Sequence, residues 1–123
     1  MPDRDPIDDA DRARRFAGIR QWGDPVLRDP TRTVERFDDA LAGQARQMLE
    51  IMERANGAGL AAPQVGIAQR LLVYRHEPAE EPTTLVNAVL AARSEETERG
   101  LEGCLSIGFS TIAVDVFVYA AVA

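Results

Sequence analysis

The only cysteine of the chain, Cys104, lies in the segment E-G-C-L-S at residues 102–106. A lone cysteine is more often a small buried hydrophobic residue than a reactive group. As a nucleophile it would need a base, and His76 is the only histidine of the chain. As a metal ligand it would need further donors, because catalytic zinc sites combine three protein ligands with water. Cys104 alone therefore leaves packing, nucleophile and metal ligand open.

The histidine opens the segment H-E-P-A-E, which resembles half of the zinc-protease motif H-E-x-x-H. That motif works because two histidines one helical turn apart share a face of a helix. Here Glu80 stands at the fifth position and Pro78 in the middle, directly after a predicted strand. The pattern favours an exposed loop position for His76 over a metal site.

A glycine-rich run, G-A-G-L-A-A, occupies residues 57–62. It matches the dinucleotide-binding pattern G-x-G-x-x-A, which requires a strand before it and a helix after it. Here a predicted helix precedes the run and Pro63 follows it, so the order is reversed. Two interpretations stay open: a turn after a helix, or glycines whose backbone N–H groups are accessible to a substrate.

The elements that must position these segments form an α+β pattern. Apolar residues at three- and four-residue steps predict a helix from Phe37 to Ala55, with Gly57 as a left-handed cap. The predicted apolar face of this helix comprises Phe37, Leu41, Ala45, Met48, Met52 and Ala55. A shorter helix is predicted near residues 9–16. Segments rich in β-branched and aromatic residues predict strands at residues 70–75, 84–90, 101–107 and 111–120.

Loops are predicted between these elements. Residues 18–30 contain two Asp-Pro steps and two glycines, and we expect Trp22, Val26 and Leu27 to cover the core from this loop. Residues 93–101 are polar and turn-like. The first 17 residues are predicted to be a flexible extension, followed by one domain at residues 18–123.

Composition limits the function classes. The 123 residues carry a net charge of −6 and form no basic stripe, which argues against direct nucleic-acid binding. No apolar run reaches the roughly 18 residues of a membrane span, and the charged N-terminus lacks the apolar core of a secretory signal. A single cysteine cannot form an internal disulfide, so we expect a cytoplasmic protein.

Two segments together resemble the signatures of peptide deformylases. The run G-A-G-L-A-A-P-Q at residues 57–64 resembles the first signature, G-x-G-x-A-A-x-Q, and E-G-C-L-S matches the second at every position. They come in the family's order and at a family-like distance, and the similarity covers about residues 18–107. The resemblance implies a mostly antiparallel α+β fold. It also implies a metal-dependent hydrolase that removes the formyl group from N-formylmethionyl peptides, including chains at the ribosome.

The resemblance implies a metal ligand and an oxyanion hole. Cys104 would bind ferrous iron or zinc as a thiolate. The side-chain amide of Gln64 and the backbone N–H of Leu105 would donate to the formyl oxygen. A redox-sensing thiol is disfavoured, because nearby acids oppose the electropositive surroundings that such a thiol needs.

The resemblance also implies a peptide-binding surface. Gly57, Gly59, Glu102 and Gly103 would lie along the substrate. Gly59 would offer backbone hydrogen bonds to the peptide, and Glu102 would support the site by hydrogen bonding.

The family's third signature, H-E-x-D-H, has no counterpart in the 123 residues. In the family it lies on a C-terminal helix and supplies two histidine ligands and a proton-shuttling glutamate. The resemblance therefore implies a fold without that helix, an incomplete metal site and impaired hydrolysis, as in a truncated enzyme. The alternative is a degenerate, non-catalytic domain that binds peptides or a partner subunit. In that case the C-terminal strand could pair with another chain in an oligomer.

Overall fold

The structure is a computed structural model that describes residues 9–107, 111–117 and 120–122. It contains helix α1 at Asp9–Arg15, helix α2 at Asp39–Arg54, and 3-10 turns at Pro25–Arg28, Ala62–Val65 and Leu105–Ile107. The strands are β1 (Gly59–Ala61), β2 (Leu71–Tyr74), β3 (Thr83–Val86), β4 (Leu90–Arg93), β5 (Thr97–Gly103), β6 (Thr111–Phe117) and β7 (Ala120–Val122). Every strand pairing is antiparallel. The predicted α+β class is confirmed.

Helix α2 has clear start and stop signals. The Asp38 side chain accepts the Leu41 N–H at 3.0 Å and caps the first turn. At the other end Asn56, with φ 56°, adopts the left-handed conformation that was predicted for Gly57. Asparagine tolerates this conformation because its short polar side chain makes little steric conflict. The predicted cap at Gly57 is therefore wrong by one residue.

The core lies between α2 and the sheet formed by β1, β2 and β3, in that order. Its most deeply buried side chains are Met48, Met52 and Val73. Leu60 of β1 and Leu71 of β2 complete the layer under the helix. Packing against α2 therefore fixes the position of β1, which lies within the glycine-rich run at residues 57–62.

Two predicted core contacts are wrong. Phe37 is 69% exposed because α2 begins only at Asp39, so that Phe37 precedes the helix. Trp22 is 77% exposed, while Val26 and Leu27 are half-buried. The other members of the predicted helix face are buried or half-buried, as expected: Leu41, Ala45, Met48, Met52 and Ala55.

The predicted strand at residues 84–90 is two strands. Asn87 has φ 57°, which ends β3. Its side chain exchanges two hydrogen bonds with the Val34 backbone, at 2.7 and 2.9 Å. These contacts with a distant loop override the local strand propensity.

The predicted loop at residues 93–101 is also wrong, because much of it belongs to β5. β5 pairs with β6 from Thr97↔Phe117 to Gly103↔Thr111, which supplies its hydrogen bonds. The segment predicted as a strand at 101–107 leaves the sheet at Cys104 and forms a 3-10 turn. The predicted strand at 111–120 falls into β6 and β7, with residues 118–119 outside the described ranges.

The predicted N-terminal extension lies partly outside the described residues, and the domain boundary at residue 17 stays a prediction. Within the described part, α1 lies in the predicted region, and Phe16 directly after it packs against the core. No helix in residues 9–107, 111–117 or 120–122 is long and apolar enough to cross a membrane.

Candidate functional site

Gln64 lies on the 3-10 turn that follows β1. The turn begins at Ala62, Pro63 is its second residue, and Gly66 closes it with φ 88°. The Gln64 side-chain oxygen accepts the N–H of Ala61 at 2.9 Å. Since only the oxygen of the amide can accept this bond, the contact directs the NH₂ group away from β1.

The NH₂ group of Gln64 points at the second predicted segment, 40 residues further along the chain. Its nitrogen is 3.0 Å from the hydroxyl oxygen of Ser106 and 3.7 Å from the sulfur of Cys104. Cys104 is exposed, whereas Ser106 is only 5% exposed. The structure thus brings together the two segments that the sequence singles out, and joins them through one amide.

The backbone and the side chain of Leu105 have different roles at this site. The Cys104 C=O accepts the Ile107 N–H at 3.0 Å, which is the first hydrogen bond of this 3-10 turn. The Leu105 N–H comes earlier in the turn, where N–H groups have no partner within the turn. The Leu105 side chain packs against the core and over Gly57. A β-carbon added to Gly57 would lie 2.6 Å from Leu105 Cδ1. Gly57 therefore leaves room for Leu105.

Gly59 lies on β1, which is an edge strand of the sheet among the residues that the structure describes. Ala58 C=O accepts the Arg75 N–H at 2.9 Å, and Leu60 lies opposite Val73. Hydrogen-bonding groups alternate in direction along a strand, so Gly59 directs its N–H and C=O away from β2. An extended peptide could pair with these groups; the binding roles of Gly57 and Gly59 stay predictions.

Glu102 and Gly103 end β5 and are exposed. Within the part of the chain that the structure describes, no group hydrogen-bonds to the Glu102 carboxylate. A β-carbon on Gly103 would meet nothing within 4 Å. The supporting role of Glu102 and the substrate contact of Gly103 stay predictions.

Sequence reasoning missed an N-terminal segment that crosses the site. Arg20 N–H donates to Gln64 C=O at 2.7 Å, and Trp22 N–H donates to Ser106 C=O at 2.7 Å. The Gln21 side-chain amide donates to Leu105 C=O at 3.1 Å. No local pattern indicates these contacts. Ser106 itself had a signal, since it is a polar residue between the apolar Leu105 and Ile107.

The described donors do not form a complete metal site. Among the residues that the structure describes, no group of three or more His, Cys, Asp or Glu side chains could hold a metal ion. His76 is exposed and lines a cavity with Arg75 and Gly57, and Cys104 is not part of that lining. A single thiolate is one of the three protein ligands that a catalytic zinc site takes. The residues present therefore do not fit a catalytic metal by themselves.

The comparisons with known proteins agree with the two segments. The family described as Polypeptide deformylase matches residues 16–117. The chain is 48% identical over 92 residues to the peptide deformylase of Thermosynechococcus vestitus, covering 72% of this chain and 49% of that protein. It is 43% identical over 98 residues to that of Thermotoga neapolitana, covering 80% and 57%.

Solved structures show the same similarity. The Thermotoga maritima peptide deformylase has a TM-score of 0.79 at 38% identity, covering 85% of this chain and 69% of that one. The Synechococcus elongatus peptide deformylase in complex with actinonin has a TM-score of 0.80 at 35% identity, covering 97% and 61%.

The α+β fold of this chain is thus shared with these peptide deformylases. The chain belongs to the polypeptide deformylase family. It spans about half the length of the curated relatives that it matches.

Proposed function

We propose that this chain carries the substrate-recognition part of a peptide deformylase, whose reaction is hydrolysis of the formyl group of N-formylmethionyl peptides. The observation that supports this function is the oriented amide of Gln64, held by Ala61 with its NH₂ group toward Cys104 and Ser106. A formyl oxygen that enters beside Cys104 would meet this donor and the Leu105 N–H. Fixed donors of this kind stabilise an oxygen that gains negative charge.

The proposed substrates are nascent peptides at the ribosome, and the proposed location is the cytoplasm. The family relationship supports both proposals.

Hydrolysis by these 123 residues alone is expected to be impaired. The family is metal-dependent, and Cys104 is the one proposed ligand of ferrous iron or zinc among the described residues. The remaining ligands of a catalytic site would have to come from elsewhere. Recognition of the formyl group needs only the donors around Gln64, so binding and hydrolysis should be separable.

Calorimetric titration tests recognition, with formyl-Met-Ala compared with Met-Ala. We expect formyl-Met-Ala to bind more tightly, because Met-Ala lacks the formyl oxygen. Gln64→Ala should weaken formyl-Met-Ala binding about fivefold, the effect of one hydrogen bond. Gln44→Ala is the matched control, because Gln44 pairs with Gln69 in the cavity between α2 and residues 32–36. Equal binding of the two peptides, or no effect of Gln64→Ala, would overturn the proposal.

Metal content and turnover test the impairment. The chain is purified without oxygen, dialysed against ferrous iron and assayed with formyl-Met-Ala beside the Thermotoga maritima deformylase. We expect substoichiometric metal and far slower turnover by this chain. One metal per chain with comparable turnover would contradict the expected impairment.

A second candidate function, non-catalytic binding to a partner subunit, is favoured by the exposure of β4 and β5. All residues of both strands are exposed except the half-buried Gly100, and Leu90 and Leu101 are 54% and 75% exposed. Two-stranded ribbons are marginal alone, and a partner would cover them. Light scattering tests this function with Leu101→Ser, which should weaken self-association. The control Phe37→Ser, at another large apolar residue that is exposed, should not.

A further inference from the structure

The edge strand β1 runs between the site around Gln64 and a cavity near Gly57. Its C-terminal end leads into the turn that carries Gln64, beside Cys104. Its N-terminal end continues back to Ala58 and Gly57, which line a cavity of about 440 Å³. Four residue steps separate Gly57 from Ala61, about 13 Å at the rise of a strand. An extended peptide with its formyl group at Gln64 would therefore run antiparallel to β1, and its third and fourth residues would reach the cavity.

The cavity contains a half-paired arginine. Arg75 Nη2 is 2.6 Å from Glu53 Oε1, and the two side chains are 24% and 52% exposed. Arg75 Nε is buried, and no described residue accepts a hydrogen bond from it. Leaving a buried donor without an acceptor costs stability. His76 adds an exposed imidazole at the same cavity.

The chemistry of this arginine favours a carboxylate ligand. A guanidinium presents five N–H donors, and a carboxylate can accept two of them in parallel. A basic ligand side chain would place a second cation beside Arg75, and like charges at close range repel. An acidic side chain would accept hydrogen bonds from the accessible part of the guanidinium, since 24% of the Arg75 side chain is exposed and Glu53 contacts it at Nη2.

We propose that this cavity is a subsite for the third and fourth residues of a formyl peptide, and that it prefers acidic side chains there. The inference rests on the proposed function, because the Gln64 end of β1 must hold the formyl group. It adds a sequence preference that lies beyond the recognition of formylmethionine.

The test compares two peptides of equal size, formyl-Met-Ala-Asp-Asp and formyl-Met-Ala-Asn-Asn, both amidated at the C-terminus so that only the side chains differ in charge. Calorimetry is expected to show about fivefold tighter binding of the Asp peptide at low salt, as for a partly exposed ion pair. The preference should shrink as the ionic strength rises to about 1 M, because salt screens exposed charges.

Three variants identify the cavity as the source of the preference. Arg75→Gln should reduce the affinity for the Asp peptide to that for the Asn peptide. Arg75→Lys should retain part of the preference, because lysine keeps the positive charge but lacks the planar guanidinium. Glu53→Gln should enlarge the preference, because it removes a competing carboxylate. Arg99→Gln is the matched control, since Arg99 pairs with Asp115 in the β5–β6 hairpin. Thermal melts check that each variant is folded.

Equal affinity for the two peptides, with formyl-Met-Ala still bound, would overturn this subsite and leave the proposed function standing. Survival of the full preference in both folded Arg75 variants would also overturn it. Failure of every formyl peptide to bind would overturn the proposed function and the subsite together.

Discussion

The side-chain nitrogen of Gln64 lies 3.0 Å from the hydroxyl oxygen of Ser106, and this contact joins the two signature segments of the chain. Ser106 is the buried partner, at 5% exposure. With the Ala61 N–H on the opposite side of the amide, it sets the orientation of the Gln64 NH₂ group. The geometry next to Cys104 therefore depends on a residue that need not touch the substrate.

A double-mutant cycle measures this contact. Ser106→Ala should lower the free energy of unfolding by about 1 kcal/mol, because the hydrogen bond is lost. The same substitution in a Gln64→Leu background should cost less, since its partner is already absent. Urea denaturation of the four proteins gives the coupling. Strictly additive effects would contradict the proposed positioning of Gln64 by Ser106.

Gly57 and Leu105 form a second close relationship. Gly57→Ala places a methyl group 2.6 Å from the present position of Leu105 Cδ1, so the leucine must move. Overpacking of this kind typically costs about 1–3 kcal/mol, and a flexible leucine end puts the expected loss at the lower end of that range. Urea denaturation of Gly57→Ala checks this loss of stability. Calorimetric titration of the same variant with formyl-Met-Ala checks whether binding weakens when Leu105 shifts.

Gly100→Ala is the matched control for Gly57→Ala. A β-carbon there meets nothing within 4 Å, and Gly100 is paired in β5. Its stability should change by no more than about 0.5 kcal/mol. An equal loss in both variants would show that the Leu105 contact is not the cause.

The site was predictable where the signal is local, and unpredictable where it depends on distant contacts. Gln64 and Cys104 lie in short signatures, whereas the contact of Gln21 with Leu105 joins residues 84 positions apart. Trp22 is a large aromatic residue of a type that is highly buried on average. Its loop is nevertheless held by backbone contacts that leave the indole exposed. The periodicity of α2 predicted its buried face because burial follows the helical repeat.

Strands were less predictable than the helix, and Asn87 shows the reason. T-L-V-N-A-V-L reads as one strand from propensity alone. The break depends on a left-handed backbone and on hydrogen bonds to Val34, 53 positions away. β5 shows the converse, because pairing with β6 makes a strand of a polar segment.

Substitutions of Asn87 should separate these two contributions. Asn87→Gly keeps the backbone conformation but loses two hydrogen bonds, and should cost about 2 kcal/mol. Asn87→Ala should cost roughly 1 kcal/mol more, because a β-carbon disfavours the left-handed region. Urea denaturation ranks the variants.

Substitutions of Asn56 provide the control for Asn87→Gly and Asn87→Ala. It has φ 56°, but no described residue hydrogen-bonds to its side chain. Asn56→Gly should therefore be close to neutral, while Asn56→Ala should show only the backbone cost of about 1 kcal/mol. If Asn87→Gly proved as harmless as Asn56→Gly, the Val34 contacts would not contribute to stability.

Met52 tests how far the core beneath β1 supports the site. It is fully buried under the β1–β2–β3 sheet, and Met52→Ala should cost about 2–5 kcal/mol, from lost burial and the cavity left behind. Leu101→Ala, at a side chain that is 75% exposed, should change stability by less than about 0.5 kcal/mol. Because β1 carries both Gly59 and the turn to Gln64, we also expect Met52→Ala to weaken formyl-Met-Ala binding below its unfolding temperature. Unchanged binding in a destabilised but folded Met52→Ala variant would show that the edge of β1 keeps its geometry without this core contact.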